Sequence, residues 1–151
     1  MATPANPIRV FVTHAWQETD DYLRIFEYLE SPGTFYYANT SQPLARRPAD
    51  RESEREELRR QIAPSEVVIV LPSIHRSAPE LILFELNFAK SADRPVVALE
   101  YFGSSEPVPK PIRDLADEVV PWNDRELIDA LRRQARHMET TRWDTIEFKL
   151  D

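Results

Sequence analysis

Glu66-Val67-Val68-Ile69-Val70-Leu71 is an unbroken apolar run behind a single acid. No polar residue alternates with its valines and isoleucine, so neither face of a strand formed here can meet water. A strand covered on both faces belongs to a parallel sheet with helices above and below. Working outward, Pro95 to Glu100 (PVVALE) repeats the pattern. Ile8 to Thr13 (IRVFVT), Thr34 to Asn39 (TFYYAN) and Glu118 to Pro121 (EVVP) are further strand candidates. Helical stretches separate them. Asp20 to Glu30 places Tyr22, Ile25, Phe26 and Leu29 on one face, with Asp20 and Asp21 in the first turn. Asp50 to Ile62 is a charged helix in which Glu56 and Arg60 are spaced to pair. Ser77 to Ser91 tolerates Pro79 in its first turn. A short turn is expected at Ile112 to Ala116. Asn123 to Met138 turns Leu127, Ala130, Leu131, Ala135 and Met138 inward, and Asn123 with Glu126 has capping-box spacing.

Strands alternating with helices predict an α/β fold, a flavodoxin-like three-layer αβα sandwich. Its five-stranded, mostly parallel sheet would run in the order 2-1-3-4-5. The length suits one domain over residues 1–151, with a core at about 8–138 and a C-terminal arm at 139–151.

The composition excludes several classes. Nineteen Lys and Arg against 26 Asp and Glu leave a formal net charge of −7, which argues against nucleic acid or an anionic membrane as partner. Without cysteine there is no thiolate catalysis, disulfide or Cys-ligated zinc. Gly33 and Gly103 are the two glycines, too distant for a dinucleotide fingerprint or P-loop. His14, His75 and His137 lack metal-ligand spacing. No apolar run nears the roughly 20 residues of a membrane span, and the first ten residues lack a signal-peptide core, so a cytoplasmic protein is expected.

In the order 2-1-3-4-5, ligands bind outside the carboxyl ends of strands 1 and 3, where the winding reverses. That points to Thr13-His14-Ala15-Trp16-Gln17 and to Pro72-Ser73-Ile74-His75-Arg76. Neither segment carries the acidic cluster of a phosphoacceptor receiver or the Gly- and Thr-rich loop of a flavodoxin. Glu85 does not fit its surroundings. Leu81, Ile82, Phe88 and Ala89 lie three or four residues away, so the carboxylate falls on an apolar stripe. It is either an ion-pair partner, with Arg76 the nearest candidate, or a perturbed functional acid. Trp16 could cap the core edge or stack on a planar ring. His14 could exchange protons or bond the loop backbone. Arg46 and Arg47 read as a solvated basic tip that could also clamp phosphate. Tyr36 and Tyr37 read as strand packing.

At these residues the chain resembles the TIR-like family, particularly the compact group of bacterial Thoeris anti-phage systems. Arg9-Val10-Phe11-Val12-Thr13-His14-Ala15-Trp16 is similar to that group's I-S-H-S-W strand. Phe84-Glu85-Leu86-Asn87-Phe88-Ala89-Lys90 is similar to its F-E-I-x-x-A-K stretch, and Arg94-Pro95-Val96-Val97 and Val120-Pro121-Trp122-Asn123 to its last strands. The resemblance implies cleavage of NAD at the nicotinamide–ribose bond, with Glu85 catalytic and Thr13, His14, Trp16 and Ser73 around the substrate. It implies NAD as substrate, no cofactor or metal, self-association on activation, and an ADP-ribose-derived signal nucleotide that reaches a separate effector. The chain departs from the pattern in three ways. Leu81 stands where the family often has Trp, Thr13 and Ala15 replace serines, and Pro79 near the helix start is unusual. Those departures keep open a non-catalytic interaction module. A nucleoside deoxyribosyltransferase-like enzyme, which also uses a flavodoxin-like sheet and a Glu, is a third reading.

Overall fold

The computed structural model describes residues 2–137. The predicted arm at 139–151, and Met138 at the end of the last helix, lie outside the described residues. Five strands form one sheet: β1 (Ile8–Val12), β2 (Tyr37–Asn39), β3 (Val67–Val70), β4 (Val96–Leu99) and β5 (Glu118–Val120). Their order is β2-β1-β3-β4-β5, and every pairing is parallel. This is the expected α/β three-layer arrangement. Every residue of β3 and β4 is buried, as their apolar runs require, whereas the edge strands β2 and β5 stay largely half-exposed.

Among the described residues six helices cover the sheet: α1 (Asp20–Glu30), α2 (Arg51–Ile62), α3 (Pro72–Ser77), α4 (Pro79–Ser91), α5 (Lys110–Leu115) and α6 (Asp124–Arg136). α1 packs against α6, while α4 packs against α2 and α5, giving one helical layer on each face. Side chains cap α1, α2 and α6. The Thr19 hydroxyl accepts from the Tyr22 N–H, Asp50 from Ser53 and Asn123 from Glu126. Each satisfies a donor that the first helical turn leaves free. The Asn123 cap is one-sided, because its own N–H donates to the Pro121 carbonyl. Among the described residues no helix is long and apolar enough to cross a membrane.

Three local readings change. Pro72 to Arg76, given no helix in the sequence, joins Ser77 in α3 with Pro72 at the N-terminal position a proline tolerates, and the helix expected from Ser77 starts at Pro79. On α2, Arg60 pairs with Glu57 and Arg59 with Glu56, not Glu56 with Arg60, because i,i+3 partners are equally near. β2 begins at Tyr37, so Tyr36 is outside the strand and part-exposed, while Tyr37 stacks on Phe26 and Phe35.

Candidate functional site

β1 ends at Val12, and the backbone beyond it must find new partners. The Thr13 N–H donates to the Ile69 carbonyl, and the Thr13 hydroxyl accepts from the Leu71 N–H at 3.2 Å, tying the ends of β1 and β3 together. The next N–H, that of His14, donates to Glu85 Oε1 at 3.1 Å. Glu85 reaches this point from the middle of α4, where the apolar stripe turns it toward the sheet. It is fully buried. Among the described residues, Glu85 Oε2 is the one buried side-chain oxygen or nitrogen with no hydrogen-bond partner. Burial, with a smaller contribution from the Glu54 charge, raises its pKa well above the ordinary carboxylate value; the single His14 N–H bond opposes the shift without reversing it. Burial therefore favours the protonated form of Glu85 above the pH at which an ordinary carboxyl ionises.

The suggested Arg76 partner is engaged elsewhere. Arg76 forks onto both carboxylate oxygens of Glu106 and lies over the Tyr101 ring. A backbone N–H, not a guanidinium, meets Glu85.

His14 is also buried. Its Nδ1 accepts from the Trp16 N–H at 3.1 Å, which leaves the proton on Nε2, 2.9 Å from Gln61 Oε1. Burial lowers the His14 pKa, partly offset by the Gln61 bond, so the ring is neutral. Gln61 Oε1 also accepts from the Gln42 N–H, and Gln61 Nε2 donates to Glu57. One buried amide thus fixes the His14 tautomer and the start of the loop after β2.

Trp16 closes over this arrangement. Its φ of 65° is a left-handed conformation that costs an L-residue roughly 1–2 kcal/mol. Two contacts offset that cost. The indole meets the His14 ring edge-on at 5.0 Å, and its Nε1 donates to Glu54 Oε2 at 2.7 Å. The same Glu54 oxygen accepts from Arg47 Nε at 2.6 Å. The loop after β1 is thereby latched to α2.

The structure brings Glu85, Thr13, His14 and Trp16 together at the carboxyl ends of β1 and β3. Thr13 and His14 face inward, and neither is open to solvent. Ser73 stands apart on α3, where its hydroxyl donates to Asp21 at 2.6 Å. Glu54 and Gln61 escaped the sequence reading. Each lies in a helix so charged that no periodicity singles it out. Beside the latch, between the starts of α2 and α4, is a cleft of about 610 Å³ lined partly by Arg47, Glu54, Leu81 and Phe84. A larger hollow of about 720 Å³ lies at the opposite, amino end of the sheet, where its charged walls are engaged with one another: Arg9 with Glu66 and Lys90 with Asp117. The first cleft is the functional candidate, because it adjoins the carboxyl ends and the perturbed acid.

No family model and no curated protein matches the chain. Among solved structures it is similar to a conserved protein from Enterococcus faecalis V583, at 15% identity and a TM-score of 0.55, over 84% of this chain and 98% of the other. That likeness supports the fold alone. A 3-dehydroquinate dehydratase-like protein from Bifidobacterium longum is similar at 11% identity and a TM-score of 0.46, over 89% of this chain and 98% of the other.

Proposed function

We propose that this protein is a cytoplasmic TIR-like enzyme that cleaves NAD at the nicotinamide–ribose bond. The observation that carries the reading is Glu85: a sealed carboxyl with an unpartnered oxygen, under a strained tryptophan loop at the switch point of the sheet. A buried unsatisfied carboxyl is costly for stability, and functional sites are where such groups are retained. Catalysis requires the Trp16 loop to lift. Water then reaches Glu85, its pKa falls and the group ionises. In the reaction the electron pair of the bond leaves with nicotinamide, whose ring changes from pyridinium to neutral. The ribose carbon develops cationic charge, and the Glu85 carboxylate stabilises it. The displaced indole of Trp16 is placed to stack on the nicotinamide ring. Capture of the cation by water gives ADP-ribose. Capture by a group of the same nucleotide gives a cyclic product, a signal for a separate effector in anti-phage defence.

The complete burial of Glu85 favours one other reading. A permanently closed loop would make the domain an interaction module in which Glu85 only anchors the end of β1. Nicotinamide release from NAD, with products identified by mass spectrometry, separates the two. The enzyme releases nicotinamide and Glu85→Gln abolishes release while remaining folded. Release that survives in Glu85→Gln overturns the assignment, and no release from concentrated protein favours the module.

A further inference from the structure

The cleft between α2 and α4 holds three guanidinium-bearing residues, of which Arg47 is ion-paired, to Glu54, and the other two have no ion pair among the described residues. Arg51 and Arg55 are one turn apart on α2, and Arg47 precedes the helix. Arg51 makes no ion pair or hydrogen bond among the described residues. Arg55 has only the Phe84 ring, 5.0 Å from its guanidinium carbon. Like charges at i,i+4 repel, so this spacing is mildly unfavourable for an empty helix. Two carboxylates share the cleft. Glu54 is already committed to Arg47 and the Trp16 indole. Glu80 stands exposed in the first turn of α4. The opposite wall is the start of α4 itself, a 13-residue helix whose N-cap, Ala78, provides no side-chain acceptor. Pro79 brings no N–H and Ile82 donates to the Ala78 carbonyl, so the donors at this end are the Glu80 and Leu81 N–H groups. Elsewhere the surface is dominated by acid, in a chain of net charge −7.

We infer that this cleft is a binding site for a phosphate-bearing small molecule, gripped by Arg47, Arg51 and Arg55 and by the uncapped start of α4. Guanidinium forks match the geometry of phosphate oxygens. A cleft of about 610 Å³ admits a nucleotide-sized ligand. The site is also coupled to the latch. A phosphate that draws Arg47 away removes one of the two donors on Glu54 Oε2, the oxygen that also holds the Trp16 indole. The site does not depend on cleavage chemistry and would stand if the protein were an interaction module.

Titration calorimetry at low ionic strength, with inorganic pyrophosphate, ADP and adenosine as probes, tests this. Pyrophosphate and ADP bind, adenosine does not, and added salt weakens binding. An Arg51→Gln, Arg55→Gln double variant loses affinity by about tenfold or more per guanidinium. Arg55→Lys, which keeps the charge and loses the fork, loses less. Lys110→Gln, a charge-matched change outside the cleft, binds like the unaltered protein. Binding of neither phosphate compound overturns the site, as does equal binding of adenosine and ADP. Unchanged affinity in the folded double variant overturns it too; if that variant fails to fold, Arg55→Lys decides. Pyrophosphate binding measured on Glu85→Gln should persist, and in the unaltered protein intact binding without nicotinamide release removes only the cleavage reading.

Discussion

Glu85 and Glu66 stand at opposite ends of the same parallel sheet; burial pushes both carboxyls the same way, and their partners set them apart. Glu66 precedes β3. Its carboxylate accepts from the Arg9 N–H at 3.0 Å, pairs with the Arg9 guanidinium, and takes a fork from Arg136. Burial alone would raise its pKa, but these bonds and the two positive charges outweigh that and hold it below the ordinary value. Glu85 has one N–H bond, no cation and an idle oxygen, and its pKa is raised. The amino end of the sheet is thus a finished electrostatic structure, whereas the carboxyl end keeps an unfinished one. A fold that can complete one such site and leaves the other incomplete places its latent chemistry at the second.

Truncation should separate the two ends most strongly. Glu85→Ala opens a cavity beside the end of β1 and strands the His14 N–H, costing about 3 kcal/mol in urea unfolding. Glu66→Ala should cost about 2 kcal/mol, less than a fully buried pair, since its partners keep some contact with water. A much larger loss at Glu66 than at Glu85 would break the comparison.

The pH dependence should differ in sign. Folded Glu85 keeps its proton where the unfolded chain has lost it, so its contribution falls as pH rises from the ordinary carboxyl value toward the raised one. Folded Glu66 loses its proton where the unfolded chain still holds one. Its contribution is therefore full above the ordinary value and falls as pH drops through the lowered one. Unfolding curves across pH for Glu85→Gln and Glu66→Gln should each lack one of these slopes. Slopes of the same sign would remove the contrast.

The smallest expected effect sharpens it. Glu85→Gln keeps the acceptor for His14 and the shape of a neutral acid, so its stability near neutral pH should lie within about 1 kcal/mol of the parent. A large loss would mean that Glu85 is ionised in the folded protein.

The sheet order was legible because it rests on features a sequence carries openly. Unbroken apolar runs mark β3 and β4, and helical periodicity marks α1 and α6. The oddness of Glu85 was legible too, since its neighbours at i±3 and i±4 are apolar. Its partner was not. A backbone N–H 71 residues away has no residue type to betray it, whereas an arginine such as Arg76 attracts attention by its charge. α3 was hidden because six residues are too few for periodicity to declare itself. Glu54 was hidden among equally charged neighbours, and only the left-handed turn at Trp16 brings the indole to it.

The Arg136 fork has a consequence for how the chain is made. The same guanidinium that grips Glu66 also donates to the Pro7 carbonyl at 3.1 Å, so the end of α6 holds the entry to β1. Because β1 lies between β2 and β3, the earliest of these five strands in the chain is an interior strand. A nascent chain can pair it with β2 and later with β3, but its entry stays unclasped until residue 136 has emerged. Vectorial synthesis therefore cannot complete this fold piecemeal, and α6 commits the five-stranded sheet as a whole.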